Sequence, residues 1–148
     1  IPEQTNGYLF CVSCCGDRAV LRAIHYFEEN ARTLAQRDAL YAKQFPVFAG
    51  LVKQSGQASF ALCQNVYCTA DVRHQGLSVA LALSQSILQG SEGAWRMQGG
   101  GFAGTIQAFV PVDLLDAYKA AIDGCFGEGS CHVLNIRNYG AVPVTPDM

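Results

Sequence analysis

The stretch WRMQGGGFAGTIQAFVP, Trp95 to Pro111, sets three consecutive glycines and then Phe-Ala-Gly between two short apolar segments. Gly99-Gly100-Gly101-Phe102-Ala103-Gly104 fits the pattern G-x-G-x-x-G, whose chemistry is to bring backbone N–H groups up to a phosphate. Such a backbone is entropically costly to order, so a turn, a close neighbour or a ligand must require it. Context separates the possibilities. A dinucleotide fingerprint needs a helix after the loop, whereas TIQAFV reads as a strand. A Walker-type loop needs a closing Gly-Lys-Ser/Thr, which is missing. The protein-kinase loop is also strand–glycines–strand, but the strand after this one carries no lysine and no His-Arg-Asp or Asp-Phe-Gly segment occurs. What remains is a glycine-rich connection between β segments. It is either an anion-binding concavity of successive amides or a hairpin turn packed closely against a neighbour.

Other reactive side chains form no set. Cysteine occurs seven times, at Cys11, Cys14, Cys15, Cys63, Cys68, Cys125 and Cys131. An odd count with an adjacent pair reads as structural or free thiols of a reducing, cytoplasmic compartment rather than a disulfide framework. Cys11 and Cys14 have metal-ligand spacing but lack a second well-spaced pair, so no metal site is expected. His25 reads as a partly buried, satisfied helix histidine and His74 as a solvated loop residue. His132 begins a strand without a visible partner. No Ser/His/Asp or Cys/His constellation is supported by spacing, and no catalytic residue is assigned.

Composition bounds the rest. The 148 residues are 50% hydrophobic and 15% charged, which suits a single domain over 1–148 with a sizeable core. A net charge of −2 gives no basic footprint for nucleic acid. The longest apolar runs, such as Leu77 to Leu83, are far short of the roughly 20 residues a bilayer requires, so no membrane partner is expected. The N-terminus shows no basic region followed by an apolar core, and export is not expected. The chain starts at Ile1 rather than Met, as a fragment or processed product would.

The elements that must position the loop follow from periodicity. YLFCV, Tyr8 to Val12, reads as a strand. Asp17 reads as the N-cap of a long helix to about Ala42, broken near Arg37, with an inner face of Val20, Leu21, Ile24, Phe27, Ala31 and Leu34. A second helix spans Phe45 to Leu62, with Phe48, Leu51, Val52 and Phe60 inward. CQNVYCTADVRHQG is a polar connector, and Leu77 to Leu88 is a third helix, apolar on nearly all sides. Ala94 to Gln98 and Thr105 to Val110 are strands around the glycine loop. Asp113 to Phe126 is a helix whose acidic start, Asp113 and Asp116, favours the macrodipole. Cys131 to Arg137 is a further strand, and Ala141 to Val144 an edge strand. Helices first and then β–loop–β–α–β is an α+β order, with an antiparallel sheet and helices on one face.

GAWRMQGGGFAGTIQAFVP resembles the third signature of the galactokinase branch of the GHMP small-molecule kinases, which runs Gly-Ala-Arg-Met-Thr-Gly-Gly-Gly-Phe-Gly-Gly. Gly93-Ala94, Arg96-Met97 and Gly99-Gly100-Gly101-Phe102 fall on it, with Trp95 as one extra residue. HYFEENARTLAQRDAL is similar to a family helix, matched at His25, Glu29-Asn30 and Arg32, and VDLLDAYKAAIDGCFGEGSCHVLNIR to the family's closing helix and strand. The likeness covers roughly Asp17 to Val144. Ala103 stands for a family glycine, Gln98 for Thr or Ser, and Thr105 where Cys is frequent. VYCTADVRHQGL matches poorly the segment that begins the family's next helix.

The resemblance implies the ferredoxin-like C-terminal domain of such a kinase, preceded by a helical segment. The N-terminal ATP- and sugar-binding domain, with its Gly-Leu-Ser-Ser-Ser loop and catalytic Asp, would lie outside the chain as a missing partner. In the intact parent the γ-phosphoryl of Mg2+-ATP would pass to a sugar hydroxyl. Gly99, Gly100, Gly101, Phe102, Ala103, Gly104 and Arg96 would close over the nucleotide phosphates. Phe102 is expected to pack rather than bind, and Arg96 is equally placed to face phosphate or to serve structure. Alone, the chain is expected to be catalytically silent, and a homodimer is compatible. The alternative is a non-catalytic ferredoxin-like ligand-binding or regulatory module derived from a kinase.

Overall fold

The computed structural model describes residues 14–102 and 104–140. The strand expected at Tyr8 to Val12 and the edge strand expected at Ala141 to Val144 lie outside these residues. The order is α1 (Asp17–Tyr41), α2 (Phe45–Ala58), a π turn (Ser59–Cys63), α3 (Gly76–Leu88), β1 (Ala94–Gln98), β2 (Thr105–Phe109), a 3-10 turn (Val112–Leu114) and α4 (Leu115–Phe126). The class is α+β.

β1 and β2 form an antiparallel two-stranded sheet that pairs Ala94 with Phe109, Arg96 with Gln107 and Gln98 with Thr105. The strands are covered on both faces, not on one as expected. Ala94 packs with Ala39 of α1 and with Phe48, Ala49 and Val52 of α2, joined by Phe109. On the other face, Met97 and Ile106 meet Val66, Leu77 and Leu81. Trp95 and Ala108 there join Leu88 of α3 and Tyr118 and Ile122 of α4. The reason is composition: the Ala94–Phe109 pair on one face and the Trp95–Ala108 and Met97–Ile106 pairs on the other are apolar, so a one-sided sheet would leave one set in water. Each large side chain so buried contributes roughly 1.5–3 kcal/mol. Gly56 lets α2 lie directly on β1, since a Cβ there would come 3.2 Å from the Trp95 carbonyl oxygen.

α1 runs unbroken through Arg37 and ends where Lys43 takes φ 55. The Gln44 amide donates to the Ala39 carbonyl at 2.8 Å and the Lys43 amide to Leu40 at 3.0 Å, a Schellman closure without glycine. Asp17 is its first helical residue; Gly16 occupies the cap. The inner face is polar in its middle, which corrects the expected apolar stripe. Val20, Leu21, Ile24 and Ala39 point inward, but between them the half-buried residues are His25, Glu29, Arg32 and Gln36. Phe27 is 71% exposed and Leu34 54%. Periodicity found the helix and misassigned its face, because an ion-pair network substitutes for apolar contact.

Four further expectations change. α2 stops at Ala58 and gives way to the π turn, where the Gln64 amide donates to the Ser59 carbonyl at 2.8 Å and Gln64 itself turns left-handed at φ 55. Phe60, expected inward, is half exposed. α3 is buried at Leu77, Ser84 and Leu88 rather than all round. Cys131 to Arg137 forms no strand: Leu134 and Ile136 are exposed and nothing among the described residues pairs with them.

Candidate functional site

The glycine loop joins β1 to β2 directly, closed at its base by the Gln98–Thr105 pair. Gly99 (φ 76), Gly101 (φ 79), Phe102 (φ 62) and Gly104 (φ 141) all lie at positive φ; Ala103 lies outside the described residues. The loop leans on the connector that follows the π turn. The Phe102 amide donates to the Asn65 carbonyl oxygen at 2.6 Å. The Asn65 side-chain Nδ2 donates to the Gly100 carbonyl at 3.1 Å. A Cβ on Gly101 would lie 2.1 Å from the Asn65 carbonyl oxygen, so only glycine fits there. Of the two readings that the glycines left open, close approach of a neighbouring backbone therefore explains Gly101 outright.

The connector is itself held. Arg18 donates to the Gln64 carbonyl and Arg22 to the Cys63 carbonyl, each at 3.3 Å. Beside the loop lies a recess of about 150 Å3 lined by Arg18, Gln64, Tyr67, Cys68 and Phe102. Phe102 thus leaves half its surface open at the recess while its amide is engaged. A larger groove of about 450 Å3 separates α2 from α3 over Trp95, and no loop residue lines it. Lys53 reaches over the Trp95 ring there, its Nζ 5.7 Å from the centroid.

Arg96 is engaged within the fold. Its Nη1 bonds to Glu29 Oε1 at 3.2 Å, and its Nε donates to the Met97 carbonyl at 3.0 Å. Glu29 also accepts from the Ser55 hydroxyl and from Arg32. Burial pushes the Glu29 carboxyl up, yet the Ser55 hydrogen bond and the two guanidinium groups outweigh it and hold it below the ordinary carboxylate range. Glu29, Arg32 and Arg96 therefore act as one network tying α1 and α2 to β1. At either end of the α1 stripe, His25 Nδ1 and Gln36 Nε2 are buried without a hydrogen-bond partner among the described residues.

The remaining candidates do not converge. His74 Nδ1 lies 2.6 Å from Asp71 Oδ2 on an exposed connector, as a solvated loop pair would. His132 is exposed. Asp113 falls in the 3-10 turn and Asp116 in the first turn of α4. Cys14 and Cys15 are exposed, and Cys11 lies outside the described residues. Among the described residues, no three His, Cys, Asp or Glu side chains gather where a metal ion would sit. No helix among them is long and apolar enough to cross a membrane.

Sequence reasoning missed Asn65, Arg18 and Ser55. Asn65 sits in a connector with no periodicity, and its role exists only once the loop lies against it. The chain matches no protein-family model, and no solved structure matches it significantly.

Proposed function

We propose that this chain is the C-terminal part of a galactokinase-type sugar kinase, ferredoxin-like in its parent, with the loop Gly99 to Gly104 closing a nucleotide phosphate site. One observation carries the reading. The two stretches that resemble the family, one around His25, Glu29 and Arg32 and the other around Arg96 and the glycines, share the Glu29–Arg96 ion pair. Two remote matches in one network favour a common origin over two accidents of composition.

The chemistry proposed is phosphoryl transfer from Mg2+-ATP to a sugar hydroxyl. It is catalysed by positioning and by donors aimed at the charge on the transferring group. The loop would supply amides, and Arg18, which lines the recess while one of its Nη atoms holds the Gln64 carbonyl, would supply a cation. The missing N-terminal domain would supply the serine loop, the catalytic Asp and the sugar contacts. Phe27, Leu34 and Tyr41 on the outward side of α1 give such a domain an apolar surface to cover. Val133, Leu134 and Ile136 likewise suit a strand whose neighbour the parent provides. The non-catalytic alternative draws on a specific fact: Arg96 and the Phe102 amide, two expected phosphate contacts, are already engaged.

The test is reconstitution. The chain joined to its parent's upstream half is assayed for ADP release with a panel of hexoses, beside the chain alone. Hexose-dependent ADP release by the joined protein, absent from the chain alone, is expected. A joined, folded protein that binds Mg2+-ATP but releases no ADP with any hexose would favour the regulatory module.

A further inference from the structure

The glycine loop does not fix its own shape. Four positive φ values among the five described loop residues mark a backbone with many alternatives. Against it stands one buried residue, Asn65, which is 6% exposed and reaches the loop twice. Its carbonyl takes the Phe102 amide at 2.6 Å, and its Nδ2 donates to the Gly100 carbonyl at 3.1 Å. Its Oδ1 is buried with no hydrogen-bond partner among the described residues, so the carboxamide serves through its donor. Asn65 is in turn presented by strained backbone. The π turn and the left-handed Gln64 precede it, and Arg18 and Arg22 from α1 bind the two carbonyls just before it.

We propose that Asn65 is the positioning residue of the glycine loop: it pins the backbone at Gly100 and Phe102 and so sets which way the remaining loop amides are offered. Van der Waals closeness at Gly101 makes the seat specific, because any side chain there would unseat the loop. Only the identity of the ligand, a nucleotide phosphate, rests on the kinase reading; the positioning stands apart from it.

Amide hydrogen exchange on the 148-residue chain, without nucleotide, tests this. The Phe102 amide exchanges at least about tenfold more slowly than the Gly104 amide in the unsubstituted chain. Asn65→Asp, which replaces the donor with an oxygen facing the Gly100 carbonyl, removes most of that difference. Ser84→Ala, which loosens the core far from the loop, leaves it intact. Equal rates for Phe102 and Gly104 in the unsubstituted chain overturn the proposal without any variant, as does unchanged protection in a folded Asn65→Asp. Should Asn65→Asp fail to fold, the unsubstituted rates decide. Mg2+-ATP added to the same sample addresses the kinase reading separately. Loop amides that shift, and shift less in Asn65→Asp, extend the positioning to the ligand. No loop shift in a chain with a protected Phe102 removes the nucleotide and keeps the clamp.

Discussion

Glu29 and Arg96, 67 residues apart, meet at 3.2 Å and join the longest helix to the strand that enters the glycine loop. Arg32 and Ser55 complete the carboxylate's shell, so neither oxygen is left bare. Removing the carboxylate leaves Arg96, 24% exposed, with the Met97 carbonyl alone, and Arg32, 13% exposed, with only the longer 3.6 Å pair to Glu28. Glu29→Ala is therefore expected to cost about 2–4 kcal/mol in urea unfolding, and Arg96→Ala less, because Arg32 and Ser55 still satisfy Glu29. Equal, near-zero costs would mean that the network is ornamental.

The same carboxylate sets a pH dependence. Its folded pKa lies below the 4.5 of the unfolded chain, so the ion-paired form is favoured by folding. Its contribution is fully present above pH 4.5 and is lost as pH falls through the lower, folded value. The urea midpoint should drop below that pH, and Glu29→Gln should flatten this part of the profile. A profile that Glu29→Gln leaves unchanged assigns the acid sensitivity elsewhere.

Gly100 and Gly101 are neighbours with opposite tolerance. A Cβ at Gly100 meets nothing within 4 Å, while one at Gly101 meets the Asn65 carbonyl oxygen at 2.1 Å. Gly101 also holds φ 79. Gly100→Ala is expected to change stability by less than about 1 kcal/mol, and Gly101→Ala to cost roughly 2–4 kcal/mol or expel the loop. Thermal unfolding of the two variants side by side measures the contrast.

Ser84 and Tyr118 share a buried 2.8 Å hydrogen bond between α3 and α4. Burial pushes the Tyr118 hydroxyl up from its ordinary pKa, against the Ser84 hydrogen bond, which lowers it. Ser84→Ala leaves that hydroxyl dry and unpaired and is expected to cost about 1–3 kcal/mol. Tyr118→Phe should cost no more than about 1 kcal/mol, since Ser84 keeps its bond to the Ala80 carbonyl at 2.8 Å. Chemical denaturation of both variants should show that asymmetry.

Local pattern reached the elements and stopped at their environment. Ala94 to Gln98 and the helix ending at Phe126 lie where periodicity puts them. The inward face of α1 was illegible, since Phe27 and Leu34 have the spacing of a core stripe and Glu29 the look of a solvated residue. What reverses them is Arg96, a partner on another element. CHVLNIR has strand composition, but composition cannot supply the neighbour a strand requires. At the loop, glycine content declared permissive backbone, while the cause, Asn65, lies in a connector that carries no pattern.

Trp95 is the chain's one tryptophan, so the indole component of the intrinsic emission has a single origin. The indole sits at the seam between the α3–α4 cluster and the groove where Lys53 overlies the ring. Indole emission, excited selectively beyond the absorption of tyrosine, therefore reports the hairpin and not α1. A red-shifted emission with helical circular dichroism intact would be the optical signature of a hairpin that opens while the helices persist.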